Sequence, residues 1–446
     1  MKQVNINIDK AISDVDLILS KIASGDLDSE VSLKGFVHKI RTMSDFAFVI
    51  IRTERDIVQC IADKNLSDFD INNLSEGCTV ALTGKVHLDE RSPLGFELKI
   101  TSMKVLSYPA DQMPLKINKK NFDSTLNVKL DMRPISLRHP KERAIFKIQE
   151  GIIKGFREFM LSQNFTDFRS AKIVSEGAEG GANMFHLDYF GKDACLAQSP
   201  QFYKQMMVGV FGRVFETGAV YRAEKHDTSR HINEFTGLDF EMGFIDGFED
   251  IMSMEASMLR YVFDLLERDY SRELAMFGIT VPKFDTIPQI TFKEAKEITT
   301  KLSKKKITDF NDFDADEEKI LGDYFLKNHG SNLVFVTHYP SKKRPFYAMD
   351  DPTDPTVTLS FDLIFNGTEI TTGGQRIHDY NAQVAKMLDR GMDPARFESY
   401  LMIHKYGMPP HGGLGIGLER LTYKLLQLGN VKEATLFPRD INRLNP

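Results

Sequence analysis

Between residue 31 and about residue 106, apolar and polar positions alternate in five short bursts. These are Leu33–His38, Phe46–Ile51, Ile57–Ile61, Thr79–Val86 and Gly95–Thr101. Successive side chains of an extended chain point to opposite faces, so a period of two marks half-buried strands. Five such strands in this span predict a small OB-type barrel, a frequent platform for single-stranded nucleic acid. Tyr108–Pro114 breaks the pattern and is expected to be linker. Ile145, Ile148, Ile152, Phe156 and Phe159 then recur at helical spacing, so an amphipathic helix over Ala144–Leu161 is expected to open a second domain. A second long helix is expected over Met252–Leu274. The expected division is a barrel over 1–107, a linker or hinge over 108–140 and a larger domain over 141–446, giving an α+β chain.

Alternation returns in Val214–Glu224 and again in Glu234–Glu241, separated by a charged, hydroxyl-rich stretch from Lys225 to Arg230. This predicts a hairpin with Arg222, Glu224, Asp239 and Glu241 on one polar face. Gly413–Leu418 reads as a further short strand running into a helix over Glu419–Leu428, its glycines leaving room for a ligand to lie flat on the backbone. Lys304–Asp316, basic and then Asp-rich, is expected to be solvated surface and nothing more.

Composition changes this picture little. The 446 residues are 42% hydrophobic and 27% charged, as in an ordinary globular protein. A net charge of −6 argues against a general nucleic-acid coater, though not against an RNA partner met through local basic patches. No apolar run reaches membrane-spanning length, and Met1–Lys10 lacks a signal core. Cys60, Cys78 and Cys195 are odd in number and widely spaced, which points to an intracellular, cytoplasmic chain without a disulfide framework. His226 and His231, or His404 and His411, have no cysteine or His-Glu-x-x-His context for zinc.

The candidate chemistry lies in Arg222-Ala-Glu224, Arg230-His231 and Gly415-Ile-Gly-Leu-Glu-Arg420. No Gly-x-x-x-x-Gly-Lys-Ser/Thr occurs, so a Walker-type phosphate loop is excluded. An arginine fork can take its place, because guanidinium binds phosphate oxygens bidentately and stays charged at any working pH.

These segments resemble motifs 2 and 3 of the class II aminoacyl-tRNA synthetases, and most nearly the aspartyl-tRNA synthetases of archaeal and eukaryotic type. Glu179-Gly-Gly181, Leu196–Gln205, Thr371–Arg376, Tyr406–Gly413 and Leu436–Asp440 carry the same resemblance, which runs from about residue 30 to the C-terminus. It implies an OB-fold anticodon-binding barrel followed by an antiparallel sheet flanked by helices, a homodimer, and ATP-dependent ligation of L-aspartate to tRNA-Asp with Mg²⁺. In that family Arg222 neutralises the α-phosphate, Glu224 meets the adenine amino group, and Phe235 stacks on the ring. Arg230, His231 and Arg420 lie near the phosphates, beside Gly417. Asp362 and Glu369 resemble the magnesium carboxylates, with Glu369 also at the ATP. Glu179, Gln201, Asp239 and Thr372 surround the amino acid, whose acidic side chain is met by Lys204 and Arg376. His38, Phe48, Gln59, Pro93 and Glu97 match anticodon-reading positions. His38 and Pro93 resemble enzymes that accept both tRNA-Asp and tRNA-Asn. The family's motif 1 proline is replaced by Ala171. An asparagine enzyme, a tRNA-independent amide-forming enzyme and a non-catalytic paralogue remain as alternatives; Lys204, the barrel, and the presence of Arg222 with Arg420 respectively speak against them.

Overall fold

The computed structural model describes residues 13–63, 71–178, 184–225 and 228–445. The chain forms two compact units, Met1–Thr125 with Pro134–His139, and Leu126–Arg133 with Pro140–Pro446.

The first unit is a closed barrel of β1 (Glu30–Thr42), β2 (Phe46–Arg52), β3 (Ile57–Asp63), β4 (Thr79–Leu88) and β5 (Phe96–Ser107), in the order β1-β2-β3-β5-β4. The alternation seen in the sequence is the barrel wall itself. Val31, Leu33, Ala47, Val49, Ile51, Val58, Cys60, Val80 and Leu82 point inward, and the residues between them face out. A helix over Asp14–Ala23, capped by Ser13, adds Val15 and Ile18 to this core. β1 and β2 lose register between Val37 and Lys39, which makes His38 the extra residue of a bulge.

The second unit carries an eight-stranded sheet. Its strands are β6 (Thr166–Asp167), β10 (Arg213–Tyr221), β11 (Glu234–Gly243), β12 (Gln289–Thr291), β13 (Leu333–Thr337), β14 (Ser360–Phe365), β15 (Thr368–Arg376) and β16 (His411–Gly417). A small three-stranded sheet holds β7 (Ile173–Val174), β8 (His186–Tyr189) and β9 (Lys192–Leu196). The large sheet runs β12-β13-β14-β15-β16-β11-β10-β6. The sheet is antiparallel through its middle, as expected, and mixed only at its edges, where β6 and β12 pair in parallel with their neighbours. Both are too short for their direction to be read from sequence.

One face of this sheet is covered by the helices Pro140–Ser162 and Glu249–Asp269, and Ile148, Ile152, Phe156, Val262 and Phe263 pack there against Phe240, Phe361 and Leu414. The two helices approach closely at Gly151, where a Cβ would come within 2.6 Å of the Leu266 side chain. The long helix expected over Met252–Leu274 is two helices, Glu249–Asp269 and Ser271–Phe277, because Tyr270 leaves helical geometry at φ −130°. Alternation makes the opposite sheet face polar, and that face carries Asp239, Glu241, Asp362, Thr372 and Arg376.

Lys304–Asp316 is exposed, as expected, but not idle. The Asp314 carboxylate accepts from Glu317 N as part of a capping box starting the helix Ala315–His329, and Asp309 O accepts from the buried Lys296 ammonium at 2.8 Å.

Candidate active site

The polar face of the sheet floors a cavity of about 990 Å³. It gathers every described candidate of this unit: Gln201, Lys204, Arg222, Glu224, Arg230, His231, Phe235, Asp239, Asp362, Glu369, Thr372, Arg376, Gly417 and Arg420. Glu179 lies outside the described residues.

At one end sit four buried charges. Lys204, on the helix Gln201–Phe211, is 2% exposed; its ammonium donates to Asp239 Oδ1 and Leu414 O, both at 2.9 Å, and lies 3.5 Å from Glu241 Oε2. Arg376 donates through Nε to Glu241 Oε1 at 2.8 Å and through Nη2 to Gly413 O at 2.9 Å. Burial pushes the Asp239 carboxyl up, in spite of Lys204. For Glu241 burial acts in the same direction, but Arg376 and Lys204 outweigh it and hold the carboxyl below its usual range. Two cations and two carboxylates therefore sum to zero. The two cations expected to meet an acidic ligand are thus each already engaged, and an incoming carboxylate competes with their internal partners. Gln201 does not reach the quartet. Its amide donates to Gln205 Oε1 at 3.0 Å, and Gln205 contacts His411, which burial holds at about 3 and hence neutral.

Gly413 serves the protein rather than a ligand, since a Cβ there would lie 2.1 Å from Phe240 O. Gly417 is different: the atoms nearest a Cβ there belong to the Arg420 side chain, at ordinary contact distances from 3.6 Å.

At the other end, β10 stops at Tyr221, one residue short of Arg222. The expected strand through Glu224 is therefore corrected to a connecting segment, although Arg222 N still donates to Asn233 O at 2.8 Å. The segment leaves the ladder because the Asn233 side chain supplies its bonds, donating to Arg222 O at 2.7 Å and Glu224 O at 2.9 Å. The Arg222 guanidinium lies over the Phe235 ring, 5.5 Å from its centroid, and its Nε is buried without a hydrogen-bond partner among the described residues. Arg230 pairs with Glu318 at 2.8 Å, and His231 Nδ1 contacts Thr228 Oγ1 at 2.7 Å. Arg420, in the helix Leu418–Leu425, donates to Glu369 O at 3.1 Å, while Thr372 Oγ1 donates to Glu369 Oε1 at 3.2 Å.

Asp362 and Glu369 interact electrostatically, as a shared cation site requires, but Asp362 is already engaged. Arg344 Nη2 donates to its Oδ1 at 2.8 Å, and Tyr339 also donates to it. Burial first, with Glu369 adding to it, pushes its carboxyl up to about 7. Among the described residues no group of three or more His, Cys, Asp or Glu side chains could hold a metal ion. A cation here would rest on Glu369 and Asp362, with substrate oxygens completing its shell, a donor set that fits Mg²⁺.

Sequence reasoning missed Arg344, Glu318 and Asn233. Arg344 sits in the basic run Lys342-Lys343-Arg344 and looks solvent-exposed; only the pairing of β13 with β14 puts Tyr339 and Asp362 around it. Glu318 faces inward from the helix Ala315–His329, accepting from Arg230 and from Glu369 N.

In the barrel, Gln59 and Glu97 come together, and Phe48 lies on the strand beside Gln59. β2–β3 pairing places Ile50 opposite Gln59 on the outer face, and the Gln59 amide donates to Glu97. Phe48 packs edge-on to Phe46 at 5.2 Å. Pro93 is exposed between β4 and β5, whereas His38 is buried in the bulge.

Residues 125–441 match the family described as tRNA synthetases class II (D, K and N), and residues 31–106 match the OB-fold nucleic acid binding domain. The chain is 43% identical to the aspartate--tRNA(Asp/Asn) ligase of Deinococcus radiodurans, over 93% of this chain and 95% of that protein. It is 38% identical to the aspartate--tRNA(Asp) ligase of Pyrococcus abyssi, over 94% and 96%. Asparaginyl-tRNA synthetase from Pyrococcus horikoshii, solved with asparaginyl-adenylate, superimposes with a TM-score of 0.86 at 32% identity, covering 94% of this chain and 97% of that one. A cavity with an arginine over a phenylalanine at one end and a charge quartet at the other, on a sheet of this order, thus has its relatives identified: the chain belongs to the class II tRNA synthetases of the D, K and N group.

Proposed function

We propose that the protein ligates L-aspartate to tRNA-Asp and also to tRNA-Asn, consuming ATP through an aspartyl-adenylate. The observation that carries the amino-acid choice is the quartet of Lys204, Asp239, Glu241 and Arg376, of which Lys204, Asp239 and Arg376 line the same cavity as Arg222. The aspartate α-ammonium takes Asp239, and its side-chain carboxylate takes the cation released. Asparagine presents no charge to replace Asp239 at Lys204. Leaving a buried charge unpaired costs roughly 3–5 kcal/mol, which is a discrimination of about a hundredfold or more.

In the first step the substrate α-carboxylate attacks the α-phosphorus and pyrophosphate leaves. The carboxylate is ionised at neutral pH, so no general base is needed and catalysis reduces to positioning and charge neutralisation. Arg222 holds the α-phosphate, Phe235 and Glu224 the adenine, with Gly417 beside it. Arg230, His231 and Arg420 stand toward the β- and γ-phosphates. Gln201 and Glu179 complete the amino-acid side, with Thr372. A Mg²⁺ held by Glu369, with Asp362 behind it, would offset phosphate charge. In the second step the tRNA 3′-hydroxyl takes the aspartyl group.

The barrel reads the anticodon through stacking on Phe48 and hydrogen bonds from Gln59 and Glu97. His38 and Pro93, with the dual-specificity name of the Deinococcus relative, support acceptance of tRNA-Asn. We assign the barrel to residues 1–107, a linker to 108–140 and the catalytic domain to 141–446. A homodimer fits the apolar residues exposed around motif 1, Leu161 and Ile173. Aspartate-dependent ATP–pyrophosphate exchange, followed by charging of each purified tRNA, tests the proposal. Exchange driven by asparagine instead would overturn the amino-acid assignment, and no charging of tRNA-Asn would restrict the enzyme to tRNA-Asp.

A further inference from the structure

Asn233 ties together the two ends of the segment that carries Arg222 and Glu224. It is 8% exposed and makes four hydrogen bonds. Its carbonyl accepts from Arg222 N at 2.8 Å, and its side-chain amide donates to Arg222 O at 2.7 Å and Glu224 O at 2.9 Å. Its own backbone N donates to Arg439 O at 2.8 Å. A second link from the C-terminal stretch, Val431 N to Ser229 O at 2.8 Å, holds the far side of the same loop. Arg133 anchors that stretch in turn through the carbonyls of Glu433, Thr435 and Leu436.

A strand would have satisfied the carbonyls of Arg222 and Glu224 by pairing with a neighbour. Here the chain departs from the ladder at Tyr221, and one side-chain amide supplies the bonds instead. The asparagine amide offers two donors from its single nitrogen, and both are used here. Meanwhile Arg222 Nε is buried without a hydrogen-bond partner among the described residues, and the Phe235 ring lies against the guanidinium. Its placement therefore comes from its backbone.

We propose that Asn233 is a positioning residue for ATP: it fixes the backbone on which Arg222 and Glu224 project into the cavity, and the C-terminal stretch holds Asn233 in turn. The proposal rests on the reading of Arg222 and Glu224 as nucleotide-binding groups.

Asn233→Ala removes both side-chain bonds. Asn233→Asp keeps the shape but sets a carboxylate against two carbonyl oxygens. In aspartate-dependent ATP–pyrophosphate exchange with the full chain, N233A is expected to raise KM for ATP about tenfold, the loss of two ordinary hydrogen bonds. KM for aspartate should stay within about twofold, because Lys204, Asp239 and Arg376 are held by other elements. N233D should be worse than N233A for ATP. A merely structural role would lower the active fraction, and so kcat, leaving both KM values alone; that result overturns the proposal, as does an equal rise in the two KM values. If the unsubstituted chain shows no aspartate-dependent exchange, the functional reading has failed instead.

Discussion

Replacing Lys204 by methionine keeps most of the side chain's length and deletes its charge. The structure sets the size of the effect. Lys204 is 2% exposed and faces Asp239 at 2.9 Å and Glu241 at 3.5 Å, so K204M leaves two buried carboxylates with Arg376 on Glu241 and the more distant Lys172 acting on Asp239. Breaking a buried pair costs roughly 3–5 kcal/mol. Protonation places a ceiling on that loss. Burial already pushes Asp239 up, and without Lys204 it will bind a proton in the folded state while remaining ionised in the unfolded state. From an ordinary carboxyl value near 3.9, at about 1.4 kcal/mol per pH unit, the ceiling is about 4 kcal/mol at pH 7 and about 2 kcal/mol at pH 5.5. The sign follows from linkage: the variant binds the extra proton when folded, so its stability deficit grows as pH rises. Urea unfolding of both proteins at the two pH values measures this directly. A deficit below about 1 kcal/mol, or one that does not shrink on acidification, would refute the account of the quartet. The same variant should lose aspartate-dependent pyrophosphate exchange.

Glu255 offers the opposite sign. It is buried beneath the sheet, accepts from Thr371 Oγ1 at 2.6 Å, and burial pushes it up to about 8. An acid raised in the folded state penalises folding as pH climbs from its unfolded value toward 8. Relative to the parent protein, Glu255→Gln should therefore gain about 1.4 kcal/mol of stability per pH unit between pH 5 and 8, read by urea melts; a flat difference would contradict the buried carboxyl's titration. Arg222→Lys keeps the charge but loses the planar fork that lies over Phe235, and exchange should fall about a hundredfold in kcat. Phe48→Ala should reduce kcat/KM for tRNA by about tenfold through lost stacking while leaving pyrophosphate exchange intact. Equal loss in both assays would place Phe48 in the barrel's stability instead.

Much of the fold was legible because long periodic segments speak for themselves. Five alternating bursts became five barrel strands, and Ile145, Ile148, Ile152, Phe156 and Phe159 lie along one buried helix stripe. Boundaries fared worse where local signals were weak. Tyr270 breaks a helix although neither glycine nor proline marks the place, and β10 ends before Arg222 because a distant side chain takes over the hydrogen bonding. At the site, residue types and spacing located Arg222 and Arg420, the family resemblance pointed to Lys204 and Arg376, and the fold brings all four to one cavity. Sequence could not show which internal partners they hold. Glu241 between Lys204 and Arg376, Arg344 on Asp362, and Glu318 on Arg230 all depend on contacts made across strands and helices.

The zero sum of the quartet has a consequence for the resting enzyme. A pocket of bare cations would fill with whatever phosphate, chloride or small organic acid the surrounding solution offered, and true substrate would have to displace it. A self-compensated one attracts such visitors less, and on the reading proposed above it favours a molecule that brings an ammonium together with a carboxylate. Because the quartet's pairs are short-range and largely buried, added salt should weaken aspartate binding little.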